Sequence, residues 1–495
     1  MLTRLYVSGF KNLVDVDISF GPFTCIVGAN GVGKSNLLDA ITFLSNLADG
    51  TLRDAALSVR DQGAKTGDIR GLFHHVGDHF ADEMTFEAEM IIPEEGRDDL
   101  GQQANATATF VHYVVTLRYK EDESARALGS LELVKEELRH ITLREASRHL
   151  PFNPSRAWRN GMVKNVRRTP NYISTEGTGA DRVINVHQDG GSSGKPQKLR
   201  AANLPRTVLS AANSAESPTA TLVKREMQSW LLLHLEPSSL REPDEFTAPG
   251  ILGSDGAHLP AALFHLAHAD GSDPEAVFSE VANRVSQLID DVRAIRVDKD
   301  ERRQLLTLYA TARDGTDYPA RALSDGTLRF LALAVLSIDP NFRGVLCMEE
   351  PENGIHPERI TAMIQLLLDL TTDTNDEGSI GGGSVLRQVI INTHSPSVVM
   401  QVPDDSLVVA EPVEVTREGR SYRALQLKCL PETWRARMGK SPPISRGRLL
   451  AYLNPVSTND ETVDERLAGF PSRSRRVIDR DDIRQYKIEF GTIVE

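Results

Sequence analysis

The feature that most restricts what this chain can become is the octapeptide "GANGVGKS" at residues 28–35, which matches G-x-x-x-x-G-K-[ST] at every fixed position. It follows "FTCIV", a continuous apolar run as for a buried strand, and precedes a helical pattern from Asn36 to Leu47. A strand that feeds a glycine-rich turn and then a helix is the context a phosphate-binding loop requires. In such a loop Gly31 and Gly33 let backbone N–H groups wrap phosphate oxygens, with Asn30 on the loop and Asn36 just past it. Lys34 reaches the terminal phosphates, Ser35 can bind Mg²⁺, and the helix presents its positive end. Nucleotide binding is the expectation.

A second stretch, "MEEPENGIHPERI" from Met348, ends the apolar run "GVLC" on two adjacent carboxylates. In phosphate-loop ATPases an apolar strand beside the loop strand ends in an acid that holds Mg²⁺, and an adjacent acid can activate the attacking water. By position Glu349 is the metal-side acid and Glu350 the general base. Two acids at a strand end can also simply open a polar loop. What favours chemistry here is the pair's place between two other motifs. "LSDGT", Leu323 to Thr327, precedes an apolar helix and sets Ser324 and Gly326 at its N-terminus, a second anion site. "INTHS" ends a strand on a turn that carries His394, a group able to sense the terminal phosphate or the attacking water.

Length and composition bound the rest. At 495 residues more than one domain is expected, and no apolar stretch approaches the roughly 18–20 residues of a membrane span. The opening "MLTRLYVSGFKNL" has no basic region followed by an apolar run and a small-residue cleavage site, so a cytoplasmic location without membrane contact is expected. Of the three cysteines, Cys25 and Cys347 fall in strand-like runs and read as buried small side chains. A net charge of -13 excludes a surface that coats nucleic acid throughout. Any DNA contact must be local, and Arg139 to Arg168 is the candidate: Arg139, Arg144, Arg148, Arg156, Arg159, Lys164, Arg167 and Arg168 stand against the acid Glu145. A solvated basic face is the plainer alternative.

Along the chain, "TFEAEMII" and "TFVHYVVTLRY" alternate as half-buried antiparallel strands do, with Phe86, Ala88, Met90 and Ile92 on one face. Residues 124–291 read as an insertion. Its clearest helix starts at "SDPEAVF", with Asp273 as cap and Val277, Phe278, Val281, Val285, Leu288 and Ile289 as the apolar stripe. Strand-like segments return at "VRAIRV" and "QLLTLYATA", and no repeat or sustained heptad is present.

The ordered set GANGVGKS, LSDGT, CMEEPENGIHP and NTHSP, with a large insertion after the first, resembles the ABC-type ATPase head of the SMC, RecF and OLD-like proteins. It looks most like the bacterial AAA-type ATPases of that group, whose signature reads LSDGT and whose acidic strand runs into EPExGxHP. The resemblance implies an α/β fold: a split head of mixed sheet and helices, an antiparallel β subdomain, a large insertion and a small C-terminal appendage. Its expected parts are residues 1–123 with the phosphate loop, the insertion 124–291, a second half 292–430, and an appendage 431–495. It further implies a homodimer with composite ATP sites, in which Ser324 and Gly326 close over the nucleotide of the other subunit and Asn353 to His356 cross the interface. One departure is Glu349 where the family usually has Asp, which bears on the hydrolysis rate. Gln62 is a weak candidate for the residue that senses Mg²⁺.

The function so implied is an ATPase that dimerises on ATP and regulates a separate effector, a nuclease or other toxin, in bacterial defence against phage. The alternative is a DNA-binding RecF- or SMC-like repair or chromosome-maintenance ATPase. An OLD-like nuclease is disfavoured, because Glu411 runs into "VEVTREGRSYRALQL", two strands joined at "REGR" rather than a strand-to-helix step. The carboxylates Asp479, Asp481 and Asp482 would be its other half, but the residues after His394 are short for an added nuclease. In "FHHVGDH", His74, His75 and His79 read as surface histidines in preference to a metal site.

Overall fold

The run Phe23–Val27 is buried along its whole length because it lies within a six-stranded sheet covered on both faces. The computed structural model describes residues 1–445 and Arg448, apart from 60–68, 122–128, 165–169, 190–194, 287–288, 290, 376–384 and 418. Across the six-stranded sheet the order is Leu231–Leu233, Gly344–Glu349, Arg387–Thr393, Phe23–Val27, Leu407–Arg417 and Arg420–Cys429. The first five run parallel and the last pairs antiparallel. This corrects one expectation: the acidic strand does not lie beside the loop strand. Arg387–Thr393 stands between them, with Val389 opposite Leu346 on one side and Phe23 on the other. Three buried parallel strands are equally apolar, so their pattern carries no record of their order.

A second sheet is antiparallel and orders its strands Gln197–Arg200, Val183–Val186, Ile173–Glu176, Ser130–His140, Phe110–Lys120, Glu83–Ile91, Leu2–Ser8 and Val16–Ser19. Phe86, Ala88, Met90 and Ile92 are fully buried, as their alternation predicts. Sheet pairing crosses the boundary expected at residue 123, with Ser130 opposite Lys120 and His140 opposite Val111. Charges at Glu132, Lys135, Glu136 and Glu137 hide that strand in the sequence. The fully buried Glu136 accepts from Val208 N at 2.7 Å and Leu209 N at 2.8 Å.

Three rings join this sheet to the helix Lys34–Leu47 that follows the phosphate loop. Phe43 lies 5.3 Å from Phe86 and 5.9 Å from Phe10, and Phe10 lies 5.4 Å from Phe86, between ring centroids. Aromatic pairs of this kind contribute about 0.5–1.5 kcal/mol each beyond the area they bury. The loop is thus anchored at the base of its helix.

The helix Pro274–Ser286 starts where expected, and Asp273 accepts from Glu275 N at 3.1 Å. Val281, Val285 and Ile289 are buried, Val277 and Phe278 half-buried, and Leu288 lies outside the described residues. Two short helices, Leu143–His149 and Arg156–Met162, carry much of the basic segment. Their Ala146, Leu150, Trp158 and Met162 pack with Met1, Ile91 and Phe110. Lys164 pairs with Glu94 at 2.6 Å and Arg139 donates to His112 at 2.8 Å. Arg144, Arg148 and Arg156 are exposed, whereas Arg159 is half-buried and Arg167 and Arg168 lie outside the described residues. All three cysteines are buried and free. No helix among the described residues is long and apolar enough to cross a membrane.

Candidate active site

The phosphate loop closes on itself and on the N-terminal segment. Gly33 has φ +107°, and a Cβ there would meet Asn12 Nδ2 at 2.1 Å, so both backbone shape and space demand glycine. Asn12 Nδ2 donates to Val32 O at 2.9 Å, and its Oδ1 accepts from Asn36 Nδ2 at 2.8 Å. Beside it, Lys11 Nζ pairs with the buried Asp39 at 2.7 Å. Nothing in the local sequence marks Asn12 as a clamp on this loop, since the contact is made only by the fold.

Asn30 and Gly31 are exposed, Ser35 and Asn36 half-buried, and Lys34 is 6% exposed. Lys34 Nζ donates to Gly28 O at 2.7 Å and Ala29 O at 2.9 Å. Burial pulls its ammonium below the usual amine range, opposed by the charges of Glu350, Glu349 and Glu352. The helix it opens has no side-chain cap at Gly33, which leaves first-turn N–H groups for an anion.

Glu349 ends its strand, and Asn392 Nδ2 approaches Glu349 Oε1 at 3.4 Å. Glu350 then takes φ +45°, a left-handed conformation that costs a non-glycine residue about 1–3 kcal/mol. Asn392 holds it there: Glu350 N donates to Asn392 O at 3.0 Å and to Asn392 Oδ1 at 3.2 Å. The turn lifts the carboxylate toward His394, whose Nδ1 lies 2.6 Å from Glu350 Oε1, and Asn353 Nδ2 donates to Oε2 at 2.8 Å. Burial pushes the Glu350 carboxyl up, but the hydrogen bonds from Asn353 and His394 and the charges of His394 and Lys34 outweigh it and hold it below the usual range.

Ser324 caps the helix Asp325–Ile338 by accepting from Thr327 N at 3.2 Å. Asp325 pairs with Arg241, and Arg329 donates to Asn353 O. Gly326 packs so close to the acidic turn that a Cβ would meet Gly354 O at 3.3 Å. The fold therefore collects Lys34, Glu349, Glu350 and His394 at the carboxyl ends of three adjacent interior strands. Gly326 packs on the turn at Gly354 instead, Ser324 is exposed and bonded to Thr327, and no hydrogen bond joins residues 323–327 to the loop among the described residues.

Among the described residues no cluster of three metal-ligating side chains occurs. The Ser35 hydroxyl and Glu349 carboxylate are hard oxygen donors, which suit an ion that takes its other ligands from phosphate and water, as Mg²⁺ does. His75 and His79 are exposed, while His74 Nδ1 donates to Lys11 O at 2.7 Å and its ring packs on Tyr422 with centroids 4.8 Å apart. Glu411 lies in the hairpin Leu407–Cys429 and pairs with Lys428 at 2.5 Å. Gln62, Asp479, Asp481 and Asp482 lie outside the described residues.

Residues 178–400 match the family described as "AAA domain, putative AbiEii toxin, Type IV TA system", and residues 1–128 match "AAA ATPase domain". The DNA replication and repair protein RecF of Clavibacter sepedonicus is 28% identical over 130 residues, 26% of this chain and 31% of its own. An OLD nuclease of Thermus scotoductus is 54% identical over 41 residues, 8% of each chain. The chain thus spans less than a third of the length of these curated relatives. Among solved structures, an SMC head bound to the C-winged helix domain of ScpA aligns over 86% of this chain and 97% of its own, at 14% identity and a TM-score of 0.43.

Proposed function

The chain is an ABC-type ATPase of the SMC, RecF and OLD-like group, and from that premise we propose that it binds MgATP, dimerises head to tail around two nucleotides, and uses hydrolysis to regulate a separate effector protein in the cytoplasm. The observation that carries this is the cluster at the carboxyl ends of three interior strands, where Glu350 meets His394 at 2.6 Å within the field of Lys34. Lys34 binds the terminal phosphates once it leaves the carbonyls of Gly28 and Ala29. Asn30, Gly31 and Gly33 supply the loop, and Ser35 with Glu349 holds Mg²⁺, which neutralises phosphate charge when bound. Glu350 accepts a proton from water as the water oxygen attacks the γ-phosphorus and the bond to the β,γ-bridging oxygen breaks. A positioned base of this kind contributes about 10²–10⁴-fold. His394 orients that base and meets the γ-phosphate, and Ser324 with Gly326 completes the site of the partner subunit.

A family description that names a toxin of a type IV toxin–antitoxin system supports an effector-linked role in defence against phage. A second reading, direct DNA binding in repair, draws on exposed Arg144, Arg148 and Arg156 and on the RecF relatives. The test is a pull-down of Glu350→Gln with MgATP from its own host. A stoichiometric protein with little DNA supports regulation of an effector. Nuclease-sensitive DNA without a protein partner moves the chain to the repair class, and charge reversal at those arginines should then abolish the binding.

A further inference from the structure

Glu352, two residues past the proposed base, has no assigned part in the chemistry. It is 8% exposed, and Thr393 beneath it in the hydrogen-bond order is fully buried. Thr393 Oγ1 donates to Glu352 Oε1 and accepts from Ser395 N at 2.9 Å. Thr393 O accepts from Gly28 N at 3.3 Å. One threonine therefore joins the acidic turn, the first residue of the phosphate loop and the backbone on the far side of His394.

A hydroxyl has one proton to donate and lone pairs to accept with. Donation to Glu352 aims the lone pairs at Ser395 N. Remove the acceptor at 352 and the hydroxyl turns to seek another, so the peptide after His394 loses its tether. Glu352 Oε2 has no hydrogen-bond partner among the described residues, and burial holds this carboxyl above the usual range. An acceptor oxygen is what the arrangement uses, and a full negative charge is not required for it.

We propose that Glu352, acting through Thr393, is a positioning residue that sets the turn carrying His394 and so keeps the imidazole in register with Glu350. For its effect on turnover this rests on the ATPase reading above, while the geometric effect does not. A misplacement of about 1 Å in such a group can cost about 10²-fold in rate.

The experiment compares Glu352→Ala, Glu352→Gln, Thr393→Val and Thr393→Ser in the full chain. Expected are kcat values for ATP lowered about 10–100-fold in Glu352→Ala and Thr393→Val, with affinity for a non-hydrolysable MgATP analogue unchanged. Glu352→Gln and Thr393→Ser, which keep acceptor and hydroxyl, should restore turnover. Equal loss of affinity and turnover, or failure of both conservative variants to rescue, overturns the proposal. A readout free of hydrolysis uses carbon-13-labelled histidine in the chain without nucleotide, the His394 signal being identified by its loss in His394→Gln. That signal should shift in Glu352→Ala and Thr393→Val and stay in place in the conservative pair. If wild-type protein fails to hydrolyse ATP, the ATPase reading falls, and the histidine signal still decides the positioning role: a signal unmoved in all four variants overturns it.

Discussion

His394 Nδ1 lies 2.6 Å from Glu350 Oε1 while Asn353 Nδ2 donates to Glu350 Oε2 at 2.8 Å, so both oxygens of the proposed base are engaged within the single chain. Each oxygen keeps a second lone pair, so the two bonds fix the carboxylate in place and leave it able to accept from a water. The turn that holds Asn353 is also where Arg329 of the signature helix donates, to Asn353 O.

Glu350→Gln keeps the shape and removes the base. Phosphate release should fall about 10²-fold or more, with ATP binding intact and an ATP-dependent dimer that persists on a sizing column. Ordinary turnover by this variant would remove Glu350 from the mechanism.

His394→Gln removes a hydrogen bond and a charge that hold the Glu350 carboxyl low against burial. Its pKa should rise, so the acid limb of kcat/KM moves to higher pH than in wild type. An acid limb that stays put means that His394 does not govern the protonation of Glu350.

Composite sites predict complementation. Lys34→Ala and Ser324→Arg should each be inactive alone, the first for want of phosphate binding and the second through a blocked partner site. Mixed, they form heterodimers with one intact site, and steady-state ATPase assays should show partial recovery. Absence of recovery would place Ser324 outside the partner's site.

Gly33→Ala must adopt φ +107° and push Asn12 aside from 2.1 Å. Nucleotide binding should be lost with little change in circular dichroism. Asn12→Ala, which frees Val32 O and Asn36, should weaken nucleotide binding less severely, as read by titration with a fluorescent ATP analogue.

The buried Glu136 carboxyl is pushed up to about 7 by burial, despite the donors Leu209 N, Val208 N and Tyr113 Oη. Its folded value lies above the ordinary 4.5, so the folded state retains a proton that the unfolded chain gives up between these values. The stabilising contribution is full below pH 4.5 and is lost as pH rises through about 7, about 3 kcal/mol at most. Thermal melting should drop between pH 5 and 8, and the drop should shrink in Glu136→Gln.

Much of the site was legible because its signals are local. "FTCIV" followed by "GANGVGKS" determines a buried strand, a turn and a helix within one short stretch, and the structure has the strand at Phe23–Val27 and the helix from Lys34. The hairpin at "REGR" was equally readable, with Arg417 opposite Arg420. The charged strand Ser130–His140 was not, because Glu136 is satisfied by Val208 and Leu209, some seventy residues away.

By itself the sequence determined the apolar strands that carry the site, where the phosphate loop lies, and that two acids and a histidine end apolar runs. Local backbone preference and hydrophobic period carry that information over a few residues. Only the tertiary structure decided that Arg387–Thr393 separates the loop strand from the acidic strand, that Asn12 clamps Gly33, and that Thr393 ties Glu352 to the turn of His394. Those relations depend on which buried surfaces meet and which donors find acceptors across hundreds of residues. No local pattern records such choices, because equally apolar strands and equally polar side chains become distinct only through their partners.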